Sequence, residues 1–431
     1  MDCLLKRYRS VKTMTIKNEN DLRSVLDRAI SQVRIIDIHT HTYPVDFGKL
    51  LLWGIDELMT YHYLAAETLR WTDMPYSTYW AMTKREQADL IWQTLFIDNT
   101  PYSEACRGVL TVLEKLGLDT GRRDLEAYRR YFAAMKVEDY IDKVFETSGV
   151  EEIVMTNDPF DDLERPVWEQ GGGKADPRFK AALRVDPLLN NWSEAGKHLR
   201  EWGYEVGTAI TGKTIEEVCR FLRNRIDLMG ALYLAVSLPP AFRYPEDSER
   251  GKLIESCILP VCLEKDIPFA LMIGVKKLIN PGLKLAGDAV GRSDIDTVIN
   301  LCSAYPQNKF MVTMLARENQ HELCIAARKF RNLMIFGCWW YLNNPSLIEE
   351  TTRMRLELLG SSFIPQHSDA RVLDQLIYKW AHSRKIIGDV LFNKYSDLMA
   401  TGWLPEASEI DRDVKKLFSG NFRTFLQRKL P

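Results

Sequence analysis

Eight short apolar or β-branched runs, each ending in polar or turn residues, recur along the chain, and most are separated by segments of helical periodicity. The runs are VRIIDIHTH (33–41), VEEIVMTND (150–158), FKAALRVDP (179–187), LYLAVSLPP (232–240), IPFALMIGV (267–275), KFMVTML (309–315), LMIFGCWW (333–340) and SSFIPQHSD (361–369). They lack the alternation of a half-exposed strand, as parallel strands covered on both faces do. Between them, TIEEVCRFLRNRIDLM (214–229) and ENQHELCIAARKFRN (318–332) space their apolar residues as a helix does. Strand and helix in alternation predict a parallel sheet, and eight such units predict an α/β fold of one kind, a closed (β/α)8 TIM-type barrel.

One gap breaks the rhythm. Residues 42–149 separate the first run from the second, far more than the usual connection of about 2–6 residues. The gap holds GIDELMTYHYLAAETLRW, TKREQADLIWQTLF, SEACRGVLTVLEKLG and EAYRRYFAAM, all with helical signals. A large helical insertion between strands 1 and 2, about residues 45–149, is therefore expected on the C-terminal face of the barrel. Residues 21–431 read as one barrel domain that includes this insertion, and residues 1–20 as an N-terminal extension free to be disordered. The tail is expected to be helical from a cap at Ser408 onward.

Composition narrows the function classes. Lys and Arg number 57 against 59 Asp and Glu, a net charge of −2, and no basic run is long enough to track a polyanion. Nucleic acid is therefore not the expected partner. The eight cysteines, at 3, 106, 219, 257, 262, 302, 324 and 338, form no CxxC pair, and read as buried reduced thiols. No apolar run approaches membrane-spanning length, and the N-terminal apolar piece is too short for a secretory signal. A cytoplasmic protein without a membrane partner is expected. A homo-oligomer is compatible with the sequence, which does not decide it.

In a barrel of this type the chemistry gathers at the C-terminal ends of the strands. His39 and His41 end the first run two residues apart, which places them on one face. An isolated HxH is more often a pair of polar residues satisfying a loop. At a barrel mouth, two neutral imidazoles point to a metal. The eighth run ends in QHSDAR, with Asp369 between His367 and Arg371. The first and eighth strands of a closed barrel are neighbours, so Asp369 can join the histidines. Two histidines and a carboxylate suit zinc or another divalent ion with open positions. Asp369 also reads as a helix N-cap, and the two roles are compatible. His62 and Tyr63 are adjacent in the insertion, where packing with a surface hydrogen bond is the commoner role. Arg184 stands at the end of the third strand, Arg317 just past the sixth, and Trp339 and Trp340 past the seventh. Arginines there can grip an anion in fork geometry or lock loops as salt bridges.

Taken together these residues resemble uronate isomerase, a branch of the amidohydrolase superfamily. The resemblance runs from about residue 21 to 425 and includes LLWGIDELMTYHYL, WAMTKREQADLIW, MTNDPFDD, VTMLARENQHEL, NLMIFGCWW and FIPQHSDARVL. It is to a divergent bacterial subgroup. Common members carry a histidine before the glycine of strand five, whereas this chain reads LMIGVKK with Met272 in that place. AVSLPP lacks the strand-four lysine of hydrolytic relatives, and VTML lacks their strand-six histidine. These losses argue against a two-metal hydrolase.

The resemblance implies a carbohydrate-metabolising enzyme that interconverts an aldose sugar acid and its ketose form. The pairs would be D-glucuronate with D-fructuronate and D-galacturonate with D-tagaturonate, interconverted by proton transfer between carbons 2 and 1. It further implies one divalent ion, zinc, on His39, His41 and Asp369. Tyr63 with Asp369 would move the proton, His62 would assist, and Arg371 would stabilise the enediolate. Arg184, Arg317 and Trp340 would contact substrate. A metal-dependent hydrolase of a lactone or amide is the alternative enzyme, and a binding protein that has kept the fold without activity is the third reading.

Overall fold

The computed structural model describes residues 16–431. Its strands are β1 (Ile35–Thr40), β2 (Val150–Asn157), β3 (Phe179–Arg184), β4 (Leu234–Leu238), β5 (Phe269–Ile273), β6 (Val275–Lys276), β7 (Ala289–Val290), β8 (Phe310–Met314) and β9 (Leu333–Ile335). Seven of them form one curled sheet in the order β1-β2-β3-β4-β5-β8-β9. Every neighbouring pair in it is parallel. The two-residue strands β6 and β7 form a separate antiparallel hairpin after β5.

The eighth run departs from expectation. Instead of a regular strand it makes a single parallel bridge, Ile364 to Phe336. Pro365 has no N–H to donate, and Asp369 takes a left-handed φ of 52°, so extended pairing cannot continue. The segment still closes the barrel. Ile364 N–H donates to Ile335 O at 3.0 Å and Gly337 N–H to Ile364 O at 2.9 Å on one side. On the other, Asp369 N–H donates to His39 O at 3.0 Å and His41 N–H to Ala370 O at 2.7 Å.

The missing alternation has a direct cause. Ile36, Ile38, Val154, Ala182, Ala270, Met311 and Met334 pack with one another inside the barrel. Ile35, Ile153, Leu183, Val236, Leu271, Val312 and Ile335 pack outward against the helices. Both faces of each strand are dry, so both carry apolar residues. Phe422 and Phe425, from helix Asn421–Gln427, join the inner cluster. The Lys309 ammonium, just before β8, bonds Leu426 O at 2.6 Å. This helix therefore closes the end of the barrel where the strands begin.

Between β1 and β2 the chain runs through a series of helices, from the turn Val45–Leu50 to helix Val137–Ser148. Two of them matter for the site. Helix His62–Thr68 presents His62 to the mouth of the barrel, and helix Glu104–Lys115 packs on the long helix Gln375–Ala400. At the N-terminal side, residues 1–15 of the extension lie outside the described residues. Ile16 is buried and Asn18 caps helix Glu19–Gln32. The first helix of the tail begins two residues earlier than expected. Its cap is Glu406, in a reciprocal box with Glu409, and Ser408 lies inside the helix with its hydroxyl on Glu406. The seven cysteines among the described residues are buried and unpaired. No helix of the described residues is long and apolar enough to cross a membrane.

Gly337, at the end of β9, is the tightest approach to the closing segment. Its φ is 66°, and a Cβ there would lie 1.9 Å from His367 Nδ1. Gly337→Ala is expected to destabilise the fold by about 2 kcal/mol or more through overpacking and backbone strain. Urea unfolding checks this, and an unchanged midpoint would contradict the packing of His367 against β9.

Candidate active site

The HxH pair reaches the mouth through an irregularity in β1. Asp37 pairs with Ile153 and Thr40 with Met155, so three steps on β1 match two on β2. An extra residue in one strand re-aims the side chains around it. Ile38 joins the inner cluster and His39, next to it, lines the mouth. Asp37 turns outward and holds the neighbouring segment. Its carboxylate accepts from Ser368 N–H at 3.0 Å and from Trp380 Nε1–H at 2.8 Å. Burial raises the Asp37 pKa, and these bonds pull against that rise.

Asp369 thereby lands beside both histidines. His39 Nε2 lies 3.4 Å and His41 Nε2 3.3 Å from the same oxygen, Asp369 Oδ1. One ligand atom from each of the three residues lies within 4.8 Å of the others. Asp369 Oδ1 and His39 Nδ1 are buried and have no hydrogen-bond partner. Burial works to raise the Asp369 pKa, but His39 and His41 beside it hold the carboxyl well below the usual range. Burial, then Arg371, lowers the His41 pKa to about 3 and keeps its imidazole neutral. A neutral imidazole and an ionised carboxylate are the forms a metal requires. The donor set fits a divalent ion with nitrogen and oxygen ligands and leaves further positions open. His41 Nδ1 is tied to the Thr156 hydroxyl at 3.0 Å, which orients its Nε2 toward the centre.

His39, His41, Tyr61, His62, Arg184, Met272, Trp340, Asp369 and Arg371 line one cavity. A larger pocket of about 540 Å³ shares His41, Tyr61, His62, Arg184 and Arg371 with it and adds Tyr43, Asp158 and Glu164. The Arg184 guanidinium forks onto Asp186 at 3.0 and 2.7 Å. Arg371 faces both spaces, and its charge, after burial, is the next cause that lowers the His62 pKa to about 3. Trp340 has a left-handed φ of 47° and stands edge-on to His62, ring centres 6.1 Å apart.

The structure does not assemble every expected residue. Arg317 is 57% exposed and paired with Glu350 at 3.0 Å, outside both spaces. Tyr63 does not line the metal cavity. Its hydroxyl is buried without a hydrogen bond, and burial, with Tyr61 and Asp369 nearby, raises its pKa well above 10. Tyr61 lines the cavity instead, and sequence reasoning passed over it although it stands in the same TYHYL stretch. Lys277 and Leu285, from the β6–β7 hairpin, also line the cavity and carried no signal in sequence. His367 is fully buried with both ring nitrogens unpartnered and its ring centre 5.0 Å from that of His39.

A parallel barrel with two histidines and an aspartate converging at its mouth, beside two arginines, defines a class: barrel enzymes with a group able to take a divalent ion at the ends of their strands. No protein-family model matches the chain, and the comparison with curated proteins finds no match. Solved structures are. A uronate isomerase from Bacillus halodurans C-125 is 55% identical, with a TM-score of 0.95, over 96% of this chain and 98% of its own. The chain belongs to the uronate isomerase family. Two more distant structures share the fold at a TM-score of 0.75 each. They are a uronate isomerase from Thermotoga maritima, 16% identical over 96% and 100% of the two chains, and a glucuronate isomerase from Caulobacter crescentus, 15% identical over 95% of each.

The larger pocket carries a pH prediction. The buried Glu164 carboxyl accepts from the Tyr43 hydroxyl at 2.8 Å and from Asn157 Nδ2 at 3.0 Å. Burial outweighs these bonds and raises its pKa to about 7. An acid whose pKa rises on folding stabilises the fold below its unfolded pKa and loses that contribution as pH rises through the folded value. Relative to Glu164→Gln, the parent protein is expected to lose stability between pH 5 and pH 8, measured by urea unfolding at each pH. Parallel profiles would show that Glu164 does not titrate in this window.

Proposed function

We propose that this chain interconverts an aldehyde hexuronate and its keto isomer, D-glucuronate with D-fructuronate or D-galacturonate with D-tagaturonate. The observation that carries the reading is the convergence of His39, His41 and Asp369 beside Arg184 and Arg371 in one cavity, in a chain of this family. A uronate brings a carboxylate, hydroxyls and a carbonyl, and the cavity offers cations and a metal-binding group for each.

His39, His41 and Asp369 would hold one divalent ion, zinc, which when bound supplies a template for the carboxylate end of the substrate and a nearby hydroxyl. The reaction removes a proton from carbon 2 and returns one to carbon 1, while the carbonyl moves from carbon 1 to carbon 2. Asp369 and Tyr63 carry that proton. Tyr63 enters the cycle as a neutral phenol, since its burial opposes the phenolate. Arg371 faces the charge that develops on the enediol oxygens. His62, kept neutral by burial and by Arg371, can both accept and donate a hydrogen bond to the sugar. Arg184 and Trp340 wall the substrate, and Arg317 is not needed for it. A two-metal hydrolase is disfavoured because Met272 occupies the wall where a further nitrogen ligand would stand.

Proton NMR of the protein with D-glucuronate in heavy water, then with D-galacturonate, tests the reading. Ketose signals are expected from one of the two, with deuterium at carbon 1 of the ketose and at carbon 2 of the aldose formed in the reverse direction. Tyr63→Phe and Asp369→Asn are each expected to slow turnover by about 10²–10⁴-fold. Replacing both His39 and His41 with Ala is expected to strip the metal and leave residual isomerisation. Near-normal turnover in the Tyr63 or Asp369 variant would overturn these assignments, and water incorporation without a ketose would favour the hydrolase.

A further inference from the structure

A second chamber lies behind the first. It has a volume of about 300 Å³ and shares His62 and Trp340 with the metal cavity, so these two side chains form the partition. Its other walls include Tyr63, Glu104, Tyr378 and Lys379. Lys379, on helix Gln375–Ala400, is only 4% exposed. Among the described residues it makes no side-chain hydrogen bond and has no carboxylate within ion-pair distance. The Tyr378 ring centre lies 5.9 Å from the ammonium. Lysine is almost never so buried without a partner, and an uncompensated buried charge is costly. By contrast Lys309, also buried, is paired with Asp266 at 2.8 Å and bonds a backbone carbonyl.

The other walls repeat the pattern. Tyr63 Oη, His62 Nε2 and Trp340 Nε1 are buried and lack hydrogen-bond partners. Tyrosine and tryptophan each bring a proton to donate there. One carboxylate oxygen of the lining is unpartnered as well. Glu104 Oε2 has no hydrogen bond, with Arg107 Nη1 at 4.0 Å, while Glu104 Oε1 takes a 2.5 Å bond from the His382 ring. A chamber lined by a cation, several unpartnered donors and an unpartnered carboxylate oxygen suits a small acid that also carries hydroxyls. The acid oxygens would meet the ammonium, and a hydroxyl would donate to Glu104.

We propose that this chamber is a second binding site, one that takes the carboxylate of a small hydroxy acid on Lys379. The site uses none of His39, His41 and Asp369, but it shares Tyr63, His62 and Trp340 with the isomerase reading. Its occupant shares the His62–Trp340 wall with the metal cavity, so ligands in the two spaces sense one another through those side chains.

D-gluconate is the probe, because it has the carboxylate and hydroxyls of a sugar acid but no carbonyl to isomerise. Titration calorimetry would compare the parent protein, Lys379→Met, Lys379→Gln, Glu104→Gln, and a His39→Asn/His41→Asn double variant. Binding is expected in the parent and the double variant. A loss of at least tenfold is expected in both Lys379 variants, and a smaller loss in Glu104→Gln. Lys379→Met is also expected to melt at a higher temperature than the parent, since it removes an unpaired buried charge, which a merely structural lysine would not do. Unchanged affinity in both Lys379 variants would overturn the proposal. So would loss of binding in the histidine double variant alone, or no binding to the parent. Absence of isomerisation with either uronate would leave these outcomes untouched.

Discussion

The closure of the barrel rests on the Asp37 carboxylate. It accepts the Ser368 N–H and the Trp380 indole at once, joining β1, the strandless eighth segment and helix Gln375–Ala400. Backbone bonds alone hold that segment at only a few points, since Pro365 cannot donate and Asp369 turns left-handed. A buried carboxylate that satisfies two buried donors can hold such a seam, because breaking it would leave all three groups unpaired. The His39–His41–Asp369 group depends on the same seam, since the two histidines lie on one side of it and Asp369 on the other.

The site uses backbone strain and buried charge together. Asp369 and Trp340, both left-handed non-glycine residues, sit at the ends of neighbouring segments on the mouth. Conformations of this kind cost about 1–3 kcal/mol each and persist where surrounding packing dictates them. Around them burial sets the protonation states. His41 and His62 are kept neutral and Asp369 ionised, while Arg184 keeps its charge through the fork with Asp186. Stability is sacrificed at this end of the barrel. The opposite end is apolar, plugged by Phe422 and Phe425.

Much of this was legible in the residues themselves. Seven of the eight runs became barrel strands because apolar, β-branched residues on both faces leave a chain few other dry arrangements. The HxH pair and Asp369 were legible because closure makes first and last segments neighbours. Arg317 was not, because its place after β8 is like that of Arg184 after β3, and only its pairing with Glu350 shows that it turns to solvent. Tyr61 was passed over beside Tyr63 for a similar reason. Two positions apart on the edge of a short helix, they differ by a rotation that sequence spacing does not resolve.

The chain by itself determined the barrel, its helical interruption after the first strand, and the identity of the three groups suited to a metal, since these follow from apolar patterning and side-chain chemistry. Tertiary structure decided the extra residue in β1 that aims His39 inward, the single bridge that stands in for an eighth strand, and the isolation of Lys379. Each of these depends on contacts between segments that are separate in the chain, where packing and hydrogen-bond satisfaction override local preference.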